Sequence, residues 1–220
     1  HDQTRRQRQM CIRDRFIASC FLVMVIVGSG IMAENLTNDN AIRLLANTIA
    51  TGAGLFVLIT AFANISGAHL NPFVSLSMYL TKRIKGKELL TFIPAQILGC
   101  LLGVMLANVF FEHSIIELST KNRDGFHIFL SEIVATFGLI FIIFATLKDG
   151  KTTVAACVAT YISAGYWFTS STSFANPAVA IARTFTDSFT GINYLNTPTY
   201  IFAELLGAIA AVYIIKRLIK

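Results

Sequence analysis

Six long apolar runs, at residues 16–33, 44–62, 89–111, 126–147, 152–168 and 200–215, alternate with short polar segments along this chain. Each approaches the ~20 apolar residues that a bilayer-crossing helix needs, so the pattern predicts six transmembrane helices. Twice the pattern breaks in the same way. Ser66-Gly67-Ala68-His69-Leu70-Asn71-Pro72-Phe73 and Thr172-Ser173-Phe174-Ala175-Asn176-Pro177-Ala178-Val179 each set an Asn-Pro step inside apolar sequence. Asn at an N-cap satisfies an orphan backbone N–H, and Pro at the first helical position needs no partner, so both steps read as helix beginnings. The runs that follow, 73–82 and 178–185, are too short to cross a bilayer and predict half-helices. Non-helical backbone at membrane depth is tolerated only where it is buried in protein or lines a water-filled path. The two Asn-Pro steps therefore mark a cavity or pore. Half-helices entering from opposite faces aim their positive N-terminal ends at mid-membrane, a field that repels cations, protons included. Each Asn, its oxygen spent on its own helix, can offer amide N–H groups to whatever passes.

The loops fix a topology. Residues 34–40 form a polar connection, and Lys82, Arg83, Lys85 and Lys87 crowd the loop after the first half-helix. Lys148 and Lys151 flank the fourth connection, and Lys216, Arg217 and Lys220 end the chain. With six spans both termini share one side and every basic cluster falls there, which the positive-inside rule assigns to the cytoplasm. The halves, 16–111 and 126–220, also match each other. Gln96-Ile97-Leu98-Gly99-Cys100 parallels Glu204-Leu205-Leu206-Gly207-Ala208, 108 positions on, and Asn71 and Asn176 are 105 apart. Three spans per half invert the second repeat against the first, which brings the two Asn side chains together. Gly99 and Gly103, four apart, have the small-residue spacing that lets helices approach closely.

Composition agrees: of 220 residues, 55% are hydrophobic and 14% charged, a polytopic membrane profile rather than a soluble domain. The net charge of +6 invites a nucleic-acid reading. Half of it, however, comes from Arg5, Arg6, Arg8, Arg13 and Arg15 against Asp2 and Asp14, and the rest lies in loops, so no nucleic-acid partner is expected. Residues 1–15 resemble translated adaptor sequence and are set aside as a non-native or disordered tail, leaving 16–220 as a single channel domain. A cleaved signal peptide would show the same basic start and apolar run, but cleavage would remove the partner of a later span. Cys11, Cys20, Cys100 and Cys157 have neither a pairing pattern nor metal spacing, so no disulfide, metal or cofactor is expected.

Paired Asn-Pro-Ala-like signatures in two re-entrant loops resemble the aquaporin, or major intrinsic protein, family, from about Phe16 to the C-terminus. The resemblance implies an all-α membrane fold, aquaporin-like, with six transmembrane helices and two re-entrant half-helices in an inverted repeat. It also implies a homotetramer with one pore per subunit in a lipid bilayer. By it, Asn71, Pro72, Phe73, Asn176, Pro177 and Ala178 form the pore signature, with Phe73 standing where the family usually has Ala. That exchange either repacks the contact between the half-helix tips or shifts it. The selectivity constriction falls at Thr51, at Ala164 or Gly165, at Ser173, and at Val179, where water-selective members usually have Arg. Such a ring has no bulky aromatic and no Arg, so size exclusion is expected to be weak. Among supporting residues, His69 keeps the family's His position, and Glu132 is expected to bind the backbone of a re-entrant loop. The first-span counterpart of Glu132 is Arg15, which would leave loop backbone unsatisfied. Arg183, one turn after Val179, either reaches back to the ring or serves Asp187 or the pore mouth. Tyr166, Trp167 and Phe168 are expected in an interfacial belt. Val at the constriction is similar to a bacterial aquaglyceroporin-like branch associated with arsenic resistance. It implies passage of water, glycerol-sized neutral solutes and uncharged or methylated arsenicals, through a multi-pass protein of the bacterial inner membrane with both termini cytoplasmic.

The chief alternative is an ion-coupled secondary transporter built from inverted repeats with broken helices. It would need acidic coupling groups at mid-membrane, where the spans offer only Glu132 and Glu204. A membrane enzyme would need a nucleophile triad, an HExxH helix or paired aspartates, and none occurs within the spans. A closed pore with a structural, adhesion-like role is the remaining possibility.

Overall fold

Helix boundaries follow the capping chemistry of the sequence. Asp39 accepts hydrogen bonds from the N–H groups of Ala41 and Ile42 and starts α2 (Asn40–Ser66), which Gly67 ends in the left-handed conformation at φ 84°. Asn71 and Pro72 start α3 (Pro72–Leu80), and Asn176 and Pro177 start α7 (Pro177–Ala182), which a 3₁₀ turn at Arg183–Phe185 extends. The remaining helices are α1 (Asp2–Leu36), α4 (Gly86–Phe110), α5 (Phe126–Thr146), α6 (Lys151–Phe168) and α8 (Thr197–Leu218). The computed structural model describes residues 2–218. His1, assigned to the tail, and Lys220, counted with the C-terminal basic cluster, lie outside the described residues.

Five helices, α1, α2, α4, α5 and α8, are long and apolar enough to cross a membrane. The sixth, α6, has 18 residues and rises ~27 Å at 1.5 Å per residue, close to the hydrocarbon thickness. Its hydroxyls make it less apolar, but they are neutralised locally. Thr160 and Ser163 donate to the carbonyls of Ala156 and Ala159 one turn back, at 2.7 and 2.8 Å. With α3 and α7 as half-helices, the architecture is the expected one.

Packing repeats between the halves. In the first, α1 lies along α4 and beside α2; in the second, α5 lies along α8 and beside α6. The halves are joined by α2 against α6, and by each half-helix packing on the last helix of the other half, α3 on α8 and α7 on α4. The long contacts depend on missing side chains at equivalent sites. A Cβ on Gly99 would strike the Phe16 carbonyl, and one on Gly207 would strike the Ile133 carbonyl, 117 positions from Phe16. Backbone cannot retreat as a side-chain tip can, so both positions require glycine for close approach.

Asp2–Leu36 is one continuous helix, which carries Arg15 and the first apolar run without a break. Arg15 is only 2% exposed, with its guanidinium 3.5 Å from the centroid of the Phe92 ring.

Gly207→Val is expected to force α5 and α8 apart at a cost of about 2–4 kcal/mol. Thermal unfolding of the full chain in detergent should show a melting temperature lower by roughly 5 °C or more. An unshifted transition would mean that the helices do not touch there.

Candidate functional site

The two re-entrant loops meet through their asparagines. Asn71 Oδ1 accepts from the Phe73 N–H at 2.8 Å, and Asn176 Oδ1 accepts from Ala178 at 3.1 Å and Val179 at 3.4 Å, so each oxygen caps its own half-helix. The nitrogens cross over. Asn71 Nδ2 donates to the Ala175 carbonyl at 2.6 Å, and Asn176 Nδ2 donates to the Leu70 carbonyl at 2.9 Å. Leu70 and Ala175 each immediately precede the signature Asn of their own loop, so the two bonds are reciprocal. An amide carries two N–H groups, and each Asn keeps one for the cavity that both line. Phe73 is buried in the core beside Val74 and Leu70 and does not line the cavity, so the exchange from Ala repacks the tips without parting the asparagines.

Backbone conformation repeats as well. Gly67 and Thr172 have φ of 84° and 64°, and Ala68 and Ser173 both have φ of 50°. Three of these are left-handed without being glycine, a strained geometry that persists only where surroundings enforce it. In the second loop two carboxylates do so. Glu132 from α5 accepts from the Phe174 and Ala175 N–H groups at 2.9 and 2.7 Å, and Glu204 from α8 accepts from Asn176 at 2.9 Å. In the first loop Gln96, the counterpart of Glu204, donates to the His69 carbonyl and to Ser75 Oγ. Arg15, the counterpart of Glu132, donates to the Ser66 carbonyl at 2.7 Å and the Cys11 carbonyl at 2.9 Å. Arg15 thus holds the loop through a carbonyl, and among the described residues the His69 and Leu70 N–H groups, counterparts of the two that Glu132 holds, make no hydrogen bond, as expected of a first span without a carboxylate.

A cavity of about 360 Å³ runs past the asparagines, from Arg83, Ile84 and Lys151 beside the basic loops to Arg183 at the other end. Its walls are stripes of residues four apart: Thr51, Leu55, Ile59 and Ala63 on α2, and Val154, Val158, Ile162 and Tyr166 on α6. His69, Ser173 and Val179 also line it. The α6 stripe corrects the fifth-span assignment. Ala164 lies two positions off the stripe and is exposed on the outer face, while Gly165 packs on Ser173. The residue that reaches the cavity is Tyr166, whose hydroxyl donates to Thr51 Oγ1 at 3.2 Å. Tyr166 is therefore buried rather than interfacial, whereas Trp167 and Phe168 are half exposed. An aromatic and a cationic group, Phe174 and Arg183, line the cavity together with Val179. Arg183 is 2% exposed, donates through Nε to the Thr190 carbonyl, and lies 3.5 Å from the centroid of the Phe174 ring. Of its alternatives, pairing with Asp187 is not adopted: Asp187 accepts from the N–H of Thr120 at 2.9 Å and from its hydroxyl. At the same end, in the 111–125 loop, burial and then the charges of Arg123 and Arg183 push the Lys121 ammonium down to about 8. Among the described residues lining the cavity there is no carboxylate.

The model of the family described as Major intrinsic protein matches residues 3–166. The chain belongs to the major intrinsic protein family. Over 219 residues it is 45% identical to "Aquaglyceroporin AqpS" of Rhizobium meliloti, covering all of this chain and 92% of that relative. It is 27% identical to "Aquaporin-4" of Rattus norvegicus over 89% of this chain and 63% of that protein's length. Among solved structures, the aquaglyceroporin from Plasmodium falciparum superposes with a TM-score of 0.73 at 20% identity, covering 96% of this chain and 97% of that one. An FNT family ion channel superposes more loosely, with a TM-score of 0.53 at 13% identity. These likenesses make the fold that of the aquaporins, and the membership makes the chain a channel protein of the membrane rather than an enzyme.

Glu132→Gln replaces one of two acceptor oxygens with an NH₂ group that faces an N–H. Leaving that buried donor unpaired costs about 1–3 kcal/mol. Detergent melting should fall by several degrees, and glycerol flux into vesicles with it. Unchanged melting and flux would mean that the carboxylate does not hold the loop.

Proposed function

We propose that this chain is a passive channel for small neutral solutes: water and glycerol-sized polyols, with uncharged or methylated arsenicals as further cargo. The reading rests on one observation, the reciprocal bonds from Asn71 to the Ala175 carbonyl and from Asn176 to the Leu70 carbonyl beside the cavity that both asparagines line. A solute entering a narrow lumen loses water hydrogen bonds, a cost of several kcal/mol for a hydroxyl with no replacement partner. The free N–H of each Asn, together with the hydroxyls of Thr51 and Tyr166, offers replacement partners. Much of the rest of the wall, such as Leu55, Ile59, Val154, Val158 and Ile162, is apolar and grips little, so a neutral solute can leave as readily as it enters.

Charge selection has a matching basis. Arg83, Lys151 and Arg183 line the path, and the asparagine-capped half-helices add partial positive charge at its centre. Val179 leaves the constriction, with Thr51, Ser173 and Tyr166, less crowded than Arg at that position would. The name of the rhizobial relative supports glycerol as a solute. The apolar outer surface, with Phe21, Val57 and Phe202 half exposed or more, suits lipid and neighbouring subunits of a homotetramer. The basic loops, read by the positive-inside rule, support cytoplasmic termini, and the rhizobial relative supports a bacterial inner membrane.

The ion-coupled reading has less support. Glu132 and Glu204, the acidic groups of the spans, are spent on loop backbone rather than turned to the cavity. Reconstituted vesicles separate the two. Stopped-flow uptake of water, glycerol and arsenite should ignore imposed pH and sodium gradients, and uptake that follows a gradient would favour the transporter. Val179→Arg should lower glycerol and arsenite uptake at least about tenfold relative to water, a barrier of ~1.4 kcal/mol. Equal ratios before and after would remove Val179 from the constriction.

A further inference from the structure

Position 179 lacks the family's arginine, yet a guanidinium stands nearby. Arg183 follows Val179 by four residues, one helical turn, and its backbone is still right-handed helical at φ −68° and ψ −6°. Side chains on a helix lean toward its N-terminus, so a long side chain at 183 reaches back over the turn that carries Val179. Both residues line the same cavity. We propose that Arg183, held flat on Phe174, supplies the cation of this channel's selectivity constriction from one turn beyond the family's position. The inference rests on the channel reading above.

Three features make Arg183 more than a loop tie. Its Nε is fixed by the Thr190 carbonyl and its plane lies on the Phe174 ring, itself 4.7 Å from Tyr200. The guanidinium is thereby immobilised at two points, which lowers the entropy it loses on gripping a solute. Among the described residues its terminal nitrogens make no hydrogen bond, so up to four N–H groups remain for acceptor oxygens in the lumen. Among the described residues Arg183 makes no contact ion pair: Asp187 is engaged by Thr120, Glu132 acts on it only from behind the loop backbone that it holds, and the other cation over Phe174 is Arg123, 5.4 Å from the ring centroid. A planar fork of donors suits solutes presenting two oxygens on adjacent atoms or on one centre, such as vicinal polyols and undissociated oxyacids. The same charge opposes ammonium-type cations and protons. Selectivity is then set by a pair, Arg183 and Phe174, rather than by the residue after the second Asn-Pro-Ala.

The test uses vesicles holding the full chain, wild type or substituted, with glycerol uptake measured by stopped flow. Cation leak is read in the same vesicles as the collapse of a pH gradient and as methylammonium entry. Arg183→Met keeps the bulk and removes the charge. It should raise the leak-to-glycerol ratio at least about tenfold, as loss of a full charge a few ångströms from the path demands. Arg183→Lys should keep the ratio near wild type, because it retains the charge. Phe174→Leu leaves the Thr190 bond but removes the platform, and should raise the ratio about threefold or more, on the order of one cation–π contact. A role confined to tying the loop would lower all fluxes together and leave the ratio fixed. An Arg183→Met protein with a wild-type ratio overturns the inference while glycerol uptake upholds the channel. Should that variant fail to fold, an unchanged ratio in Phe174→Leu overturns it equally. Wild-type vesicles without glycerol uptake overturn both the inference and the channel reading.

Discussion

Two amide nitrogens, each donating across the centre of the molecule to a carbonyl of the opposite loop, hold this structure to its shape. Buried, non-helical backbone has no water to satisfy it, so the loops are stable only if protein groups replace that water. The crossing bond replaces it at the deepest point. It also fixes the separation of the half-helices, because neither tip can retreat without leaving a buried carbonyl unpaired. The walls of the lumen are then those faces of α1, α2, α5 and α6 that the tips do not fill.

Repetition makes this possible. Left-handed residues recur at Gly67 and Thr172 and at Ala68 and Ser173, and glycine contacts recur at Gly99 and Gly207. Departures from the repeat carry information too. Glu132 and Glu204 hold three successive N–H groups of the second loop, while Arg15 and Gln96 hold carbonyls of the first. One loop is gripped by acceptors and the other by donors. The second loop, gripped by acceptors, also brings Phe174, and with its half-helix Val179 and Arg183, to the lumen wall.

Much of the fold was legible because a bilayer imposes length and capping imposes residue type. Six apolar runs of the right size, two Asn-Pro steps and the placement of lysines and arginines carry the architecture without coordinates. The acceptors of the crossing bonds were not legible, since Leu70 and Ala175 act through backbone carbonyls that leave no mark on the sequence. Tyr166 was missed for a different reason. Counting to a family position fixes a residue to within one or two places, and on a helix that error turns a side chain by 100° or more. The signal was present in Val154, Val158, Ile162 and Tyr166, four apart, matching the stripe from Thr51 to Ala63. Arg183 stayed open between the ring and the pore mouth because sequence position marks where a backbone lies, whereas a long side chain reaches to partners a turn away. That Arg15 binds a carbonyl was not legible, because it depends on a loop geometry that sequence does not display.

The claim on which the account stands is that donor N–H groups of the paired asparagines both lock the loops and receive the solute. Asn176→Asp isolates it, since the carboxylate retains the oxygen that caps α7 and loses the N–H that reaches the Leu70 carbonyl. Glycerol permeability of vesicles at neutral pH is the measurement. The account predicts a fall of at least about tenfold, the loss of one hydrogen-bond donor of ~1.4 kcal/mol. Permeability equal to wild type would contradict it.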